Sequence, residues 1–119
     1  MTRQGPEAQL KAAVVKALTL ALGKRGRVLR LNAGNILVGP PGNQRMIAGV
    51  EAGTPDILVL LQSGRVCWLE LKSARGKVTP TQARWHERAR ALGHTVAVIR
   101  ETREALEVVR DVLQGRAAG

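Results

Sequence analysis

Two carboxylates and a lysine lie in strand-like stretches of the sequence, where a protein core favours apolar residues. Asp56 begins the apolar run 56–61, and Glu70 and Lys72 lie near the end of the run 65–72. The three residues between these runs suit a hairpin turn. Because side chains two residues apart on a strand share a face, one hairpin can bring Asp56, Glu70 and Lys72 together.

Hydrolysis of a phosphodiester bond is the chemistry that these three side chains suit. The reaction needs a nucleophilic water, neutralised charge on the phosphate and a stabilised leaving oxygen. Asp56, Glu70 and the backbone carbonyl of Leu71 offer the hard oxygen ligands that Mg²⁺ or Mn²⁺ prefers. Lys72 is suited either to hold or deprotonate the attacking water or to stabilise developing negative charge, and both roles stay open.

A plainer interpretation treats the same residues as ordinary surface and turn residues. Glu70 and Lys72 would then form a solvated ion pair of little energetic value, with Asp56 as a turn residue. A Glu-x-Lys triplet alone is only a weak indication of a site. It gains specificity because a Gly-Thr-Pro-Asp stretch (53–56) ends 14 residues before the glutamate, in an apolar hairpin of a basic protein.

The composition favours nucleic acid as the partner. The chain has 119 residues, enough for one domain spanning 1–119, and Lys and Arg outnumber Asp and Glu by 19 to 9, a net charge of +10. A field of this sign attracts polyanions, although a merely soluble basic surface is the alternative. The sequence contains no apolar run of membrane-spanning length and no signal-peptide core. We therefore expect a cytoplasmic protein, in a bacterial cell or a virus-infected host, without a membrane partner.

Hydrophobic periodicity and turn residues predict an α/β fold with a mixed sheet flanked by helices, in the order α-β-β-β-α-β-α. Helices are predicted at 6–22, 80–92 and 102–113, and strands at 27–32, 56–61, 65–72 and 95–99. Short paired strands at 36–38 and 45–50 are further candidates. The tail from Gln114 to Gly119 is expected to fray.

Local signals predict the helix ends. Thr79 caps the second helix, where Gln82 completes a capping box, and Thr102 caps the last helix. Gly93 follows the second helix as its stop signal.

Motifs spread along the chain resemble the VRR-NUC branch of the PD-(D/E)xK nucleases. They are Gly53-Thr54-Pro55-Asp56, Glu70-Leu71-Lys72, Thr79-Pro80-Thr81-Gln82 followed by Trp85, Gly93 with the strand Val96 to Arg100, and, near the start, Glu7 and Arg30-Leu31-Asn32-Ala33-Gly34. The resemblance implies a restriction-endonuclease-like core, dependence on a divalent metal ion, and DNA cleavage directed by structure more than by base sequence. The stand-alone viral and bacterial proteins of this size that the chain resembles act as homodimers on branched DNA, including four-way (Holliday) junctions. The resemblance therefore implies a homodimer and a branched DNA substrate.

The resemblance also implies roles for particular residues. Asp56 and Glu70 would be metal ligands, Lys72 the catalytic lysine, Gln82 a site residue that supports Lys72 or the phosphate, and Glu7 an additional acidic residue near the metal. Local structure offers an alternative for two of them. The capping box explains Gln82, and a favourable interaction with the helix dipole explains Glu7.

Several polar and basic side chains are candidates for contacts with the DNA backbone. They lie in the loop that follows the first strand, after the catalytic strand and along the second helix: Arg30, Asn32, Arg45, Arg75, Lys77, Arg84 and Arg88. A flexible solvated loop and a solvated helix face are the alternatives.

The remaining distinctive residues have structural interpretations. His86 and His94 are expected at the surface or in packing, since no second metal-ligand motif accompanies them. Trp68 and Trp85 are expected in the core or in a dimer contact rather than as base-stacking platforms, because other aromatic residues are absent. Trp85 shares a helix face with Ala89 and Leu92. The single cysteine, Cys67, is expected to be buried within a strand.

These inferences lead to one principal hypothesis and two rivals. The principal hypothesis is a Mg²⁺- or Mn²⁺-dependent endodeoxyribonuclease that cuts branched DNA as a twofold homodimer, since a chain with one site needs two copies to cut a junction symmetrically. A DNA-binding module without catalysis is the rival from another class, and the intact Asp56, Glu70 and Lys72 argue against it. The other rival is a nuclease that acts on RNA or on a specific sequence.

Overall fold

A four-stranded sheet carries the fold. The structure is a computed structural model that describes residues 5–32 and 35–116. Within these ranges the helices and strands are α1 (Pro6–Leu22), β1 (Gly26–Arg30), β2 (Asn35–Val38), β3 (Arg45–Ala48), β4 (Ile57–Leu61), β5 (Val66–Leu71), α2 (Pro80–Ala91), β6 (Thr95–Ile99) and α3 (Thr102–Leu113). Ala33 and Gly34 of the motif near the start lie outside the described residues, as does the end of the predicted frayed tail, 117–119.

The main sheet has the strand order β1-β4-β5-β6. β1 pairs antiparallel with β4, and β4 with β5, whereas β6 runs parallel to β5. A parallel neighbour requires a crossover connection, which α2 supplies. The prediction of an α/β fold with a mixed sheet flanked by helices is confirmed.

Five strands, rather than the predicted three, lie between α1 and α2. β1, β4 and β5 join the main sheet, while β2 and β3 pair with each other in a separate antiparallel hairpin. The two short strands suggested by the sequence are therefore present. The glycines and prolines at 39–42 separate them, because these residues interrupt regular strand structure.

The hydrophobic core lies on the sheet face that α1 and α3 cover. Val14, Leu18 and Leu22 recur at four-residue steps on α1 and are buried, as their periodicity predicts. Cys67 and Leu69 alternate along β5 and face the same core. Burial raises the pKa of the Cys67 thiol to about 12, so this side chain stays protonated and acts as a small apolar residue.

The opposite face of β5 carries Trp68 and Glu70, because side chains alternate along a strand. Lys72 continues this row, and its N–H donates to the carbonyl of Ile99 at 2.9 Å. α2 packs over this face and buries His86. None of the helices in the described ranges is long and apolar enough to cross a membrane.

Two local predictions about α3 are wrong. Glu101, not Thr102, caps the helix, because the side chain of Glu104 accepts the N–H of Glu101 at 2.8 Å and completes a capping box. The chain after α3 does not fray over residues 114–116. The N–H of Arg116 donates to the carbonyl of Asp111 at 2.8 Å, so hydrogen bonds extend the end of the helix.

Candidate active site

The segment before β4 fixes the position of Asp56. Pro55 is fully buried, and Thr54 donates from both its N–H and its hydroxyl to the carbonyl of Glu51. Oδ2 of Asp56 accepts the N–H of Leu71 at 2.8 Å. The carboxylate is therefore held at the end of β5, which is where the sequence predicts it.

Glu70 is enclosed by side chains from α2. It is 1% exposed, the lowest value among the buried charged residues. Its Oε1 lies 3.0 Å from Nε2 of His86, and its Oε2 accepts from Nε2 of Gln82 at 3.4 Å. Both carboxylate oxygens thus have a partner, and the side chain is held in one orientation.

The electrostatics of Glu70 show how closely the charged groups converge. Burial raises the pKa of Glu70 to about 8, and the hydrogen bond and the negative charge of Asp56 raise it as well. The ammonium of Lys72 lowers it, and the charge of Glu7 raises it by a smaller amount. The structure therefore brings Asp56, Lys72 and Glu7 within electrostatic range of Glu70.

His86 belongs to this cluster, and sequence reasoning missed that role. Burial lowers the pKa of His86, as do the nearby charges of Arg90 and Lys72. The raised pKa of Glu70 and the lowered pKa of His86 both favour the uncharged forms, and therefore a neutral hydrogen bond over an ion pair. One sequence signal was available: His86 follows Gln82 by four residues, the spacing of a single helix face.

Lys72 is buried, 7% exposed, on the strand row that includes Glu70. The turn after it is held by Arg100, whose guanidinium donates to the carbonyls of Ser73 at 2.7 Å and Gly76 at 2.8 Å. These bonds link the end of β6 to the turn that leaves the site. Arg100 thus has a supporting role that the sequence interpretation did not assign.

The helix α1 adds a second charged side chain next to Glu7. Nζ of Lys11 lies 3.7 Å from Oδ1 of Asp56, and both side chains are partly exposed. Lys11 follows Glu7 by four residues, so the two share a face of α1. Lys11 was also missed from sequence, and this spacing is the signal that could have found it.

Gln82 serves the helix end and the site at once. Its Oε1 accepts the N–H of Thr79 at 3.0 Å, and its own N–H donates to Oγ1 of Thr79 at 3.2 Å, so the predicted capping box is confirmed. Its Nε2 donates to Oε2 of Glu70 at 3.4 Å. The two interpretations of Gln82, as a cap and as a site residue, are therefore geometrically compatible.

Known proteins share sequence or fold with this chain. A protein of Acyrthosiphon pisum secondary endosymbiont phage 1, provisionally named nuclease p44, is 47% identical over 55 residues, which cover 46% of this chain and 59% of the phage protein. No protein-family profile matches the sequence. A solved structure described as a VRR-NUC domain is similar with a TM-score of 0.62 and 25% identity, over 90% of this chain and 97% of that one. These similarities support a place for the chain among the VRR-NUC nucleases.

The donor atoms of the candidate site fit a hard divalent cation. Burial and, to a smaller extent, the neighbouring Asp56 raise the pKa of Glu70, so the carboxylate pair favours a proton or a cation beside it. Mg²⁺ requires only one or two carboxylates, because water and substrate complete its shell. Within 5–32 and 35–116, no three His, Cys, Asp or Glu side chains form a cage that could hold a metal ion by themselves. Asp56, Glu70 and the carbonyl of Leu71 are the groups that would hold the ion.

The side chains predicted to contact DNA are all exposed. They fall at the end of β1 and just after it (Arg30, Asn32), on the β2–β3 hairpin (Arg45), in the turn after β5 (Arg75, Lys77) and on α2 (Arg84, Arg88). The helix α2 also carries Gln82 and His86, so its two arginines lie on the element that encloses Glu70. Contact with DNA stays a prediction for every member of the set.

Gly53→Ala is expected to lower both stability and cleavage. Gly53 has φ of +92°, and a Cβ there would lie 2.8 Å from the carbonyl oxygen of Thr81. The strained backbone and the clash should cost about 1–3 kcal/mol and push the segment carrying Asp56 away from α2. Thermal unfolding and cleavage rates measure the two effects.

Gly64→Ala is the matched control for this variant. Gly64 also has a positive φ, +75°, but no atom lies within 4 Å of its added Cβ. We expect it to lose stability through the backbone alone and to keep its cleavage rate. Equal losses of cleavage in the two variants would contradict the role assigned to the approach of Gly53 to α2.

His86→Leu is expected to lower the free energy of unfolding by about 1–3 kcal/mol, because Oε1 of Glu70 loses a buried hydrogen-bond partner. Urea unfolding at pH 7 measures the change. His94→Leu is the control for stability, since His94 is exposed. If the two variants unfold at the same urea concentration as the unmodified protein, the bond between His86 and Glu70 contributes nothing to the fold.

Proposed function

We propose that the chain is a metal-dependent endonuclease that hydrolyses phosphodiester bonds in DNA. The observation that carries this proposal is the repelling pair of carboxylates, Asp56 and Glu70, set beside buried Lys72. A surface that only binds DNA gains nothing from two carboxylates, because they repel a phosphate. A cation bound by the two carboxylates would instead attract the phosphate. The similarity to a solved VRR-NUC domain and the name of the phage relative support the same function.

Each side chain has a defined task in the proposed reaction. Asp56, Glu70 and the carbonyl of Leu71 would hold Mg²⁺ or Mn²⁺, and the bound ion would supply positive charge to acidify water and neutralise the phosphate. Lys72 presents its ammonium to the attacking water or to the negative charge that develops on the phosphate. His86 keeps Glu70 in position through the 3.0 Å hydrogen bond.

Branched DNA, such as a four-way junction, is the substrate class that we propose, cut by a twofold homodimer. The β2–β3 hairpin supports the dimer. Its side chains Leu37, Met46 and Ile47 are 54%, 60% and 42% exposed, and an isolated two-stranded hairpin is marginally stable in water. A second copy packed there would cover this apolar surface. Light scattering should give twice the chain mass of 12.8 kDa, and a monomer would contradict the dimer.

A cleavage assay tests the function. The full chain is incubated with labelled four-way junction, flap, duplex and single-stranded DNA and with matched RNA, in Mg²⁺, Mn²⁺ or EDTA. We expect cleavage only with metal, fastest on the junction, and no cleavage of RNA. Equal rates on junction and duplex would remove the preference for branched DNA. Tight binding without cleavage of any substrate would establish a DNA-binding module instead.

The affinity for DNA is expected to fall steeply as the salt concentration rises. A chain with net charge +10 and exposed basic side chains on α2 and in the turn after β5 should release counterions when it binds phosphates. Fluorescence anisotropy with labelled duplex at increasing NaCl concentrations measures the slope. A flat response would show that these side chains do not bind phosphates.

A further inference from the structure

A groove beside the candidate active site holds both tryptophans of the chain. It has a volume of about 600 Å³ and is lined by residues of α2 and β5 and by residues 51–52. The sequence contains no Phe and no Tyr, so Trp68 and Trp85 are its largest aromatic side chains. The buried core is built from aliphatic side chains and does not use them. The indole surface of the protein is therefore concentrated in this groove.

The two indole rings contact each other and remain partly exposed. Their centroids are 5.0 Å apart and their planes meet at 65°, an edge-to-face contact. Leu92 lines the groove on the same face of α2 and is 78% exposed. The shared face of Trp85, Ala89 and Leu92 predicted from sequence is thus present, but it borders an open groove instead of the core. Of the two positions expected for Trp68 and Trp85, the core is therefore wrong, whereas a dimer contact stays a prediction.

The rim of the groove is positively charged. Arg84 and Arg88 line it one helical turn apart, and Arg84 donates a 3.4 Å hydrogen bond to the hydroxyl of Thr81. Arg88 has no carboxylate partner in the part of the chain that the structure describes. Glu51 is the one acidic residue among those that line the groove. Aromatic surface together with unneutralised guanidinium groups is the combination by which proteins bind single nucleic-acid strands.

The groove lies next to the candidate active site on both β5 and α2. Trp68 and Glu70 are two residues apart on one face of β5, roughly 7 Å along the strand. On α2, His86 faces Glu70, while its neighbour Trp85 lies on the adjacent stripe of the helix together with Arg88. A strand that places a phosphate at the carboxylates therefore has its next nucleotides at the groove.

We propose that this groove binds unpaired bases of the DNA substrate, with a base stacked on Trp68 or Trp85 and neighbouring phosphates held by Arg84 and Arg88. The inference rests on the nuclease function proposed above and specifies the part of a branched substrate that the protein recognises: the unstacked nucleotides next to the cleavage point. Bases within an intact duplex are already stacked on both sides, so they do not fill the groove.

Intrinsic fluorescence tests the proposal, because Trp68 and Trp85 are the only tryptophans. The full chain, in EDTA to prevent cleavage, is titrated with oligothymidylate of about 12 nucleotides, within the usual site sizes of single-strand binders, and with duplex of the same length. We expect saturable quenching by the single strand at lower concentrations than by the duplex. Trp68→Phe leaves Trp85 as the only fluorescent reporter. The substitution also removes the indole N–H of Trp68, which is buried and has no acceptor among the described residues.

Two variants and two controls assign the binding to the groove. Trp85→Ala is expected to weaken binding of the oligothymidylate by about 5- to 100-fold, whereas Trp85→Phe keeps an aromatic ring and most of the affinity. Arg88→Ala, at an exposed position, should weaken binding several-fold without unfolding the protein. Arg103→Ala removes the same charge from α3, where the side chain is 76% exposed, and should change the affinity by less than about twofold.

The opposite results would overturn the proposal. They are the absence of quenching by the single strand, equal affinities for strand and duplex, or equal effects of Arg88→Ala and Arg103→Ala. Emission that changes with protein concentration but not with DNA would instead show that a second copy of the chain occupies the groove. Failure of the nuclease function would appear separately, as DNA left uncut in Mg²⁺, whereas failure of the groove leaves cleavage intact and the fluorescence unquenched.

Discussion

Lys72→Ala is expected to slow DNA cleavage by at least about 10³-fold while the affinity for DNA changes only a few-fold. Lys72 is 7% exposed and close enough to Glu70 to lower the pKa of that carboxyl group. Its ammonium is therefore placed at the carboxylates, not on the outer surface that attracts DNA. Removing the Lys72 ammonium takes away a positive charge at the place where negative charge develops during the reaction. The exposed arginines that attract DNA are left unchanged. Single-turnover cleavage rates and binding isotherms measure the two quantities separately.

Lys24→Ala is the matched control for Lys72→Ala. Lys24 is exposed in the turn after α1, so its substitution removes the same charge far from the carboxylates. We expect the cleavage rate of this variant to equal that of the unmodified protein. Asp56→Asn and Glu70→Gln preserve side-chain size and should also abolish cleavage. If a variant at position 56, 70 or 72 cut DNA at the rate of the unmodified protein, the role in cleavage assigned to that residue would be wrong.

The metal-free protein is expected to lose stability as the pH rises from about 4.5 to about 8, because of Glu70. In the unfolded chain this side chain loses its proton near its ordinary pKa of 4.5, whereas in the folded protein burial and the neighbouring Asp56 raise the pKa to about 8. Between these values the folded state binds more protons than the unfolded state, so a higher pH favours unfolding. This part of the stability is fully present below pH 4.5 and is lost as the pH passes through 8. The change should shift the thermal midpoint by something on the order of 10 °C.

Glu70→Gln tests the origin of this pH dependence, since an amide does not titrate. Thermal unfolding of the variant in EDTA should show a smaller decrease between pH 5 and pH 8 than that of the unmodified protein. Glu107→Gln, with a side chain 51% exposed on α3, should keep the unmodified profile. Saturating Mg²⁺ or Mn²⁺ should raise the midpoint of the unmodified protein at pH 8 but not that of Glu70→Gln. Superimposable pH profiles for the variant and the unmodified protein would rule out Glu70 as the cause.

Much of the fold and the three central site residues follow from local sequence. The turn between β4 and β5 is short, so it sets the register of the hairpin, and alternation along β5 then places Cys67 and Leu69 in the core and Glu70 on the other face. The helices α1 and α2 follow from apolar spacing and from the capping box of Thr79. These features depend on residues close together in the chain, which is why the pattern alone predicts them.

The surroundings of the site were decided by tertiary structure. The contact between His86 and Glu70 spans 16 residues of chain, and Lys11 lies beside Asp56 from a different helix. Helical periodicity predicts which residues share a stripe, but the docking of α2 on the sheet determines which stripe is buried. The same docking leaves Trp85 beside an open groove. Burial depends on how distant segments pack. The sequence by itself therefore predicted the main strands, the helices and the candidate site residues, while only the packed structure decided which groups enclose Glu70.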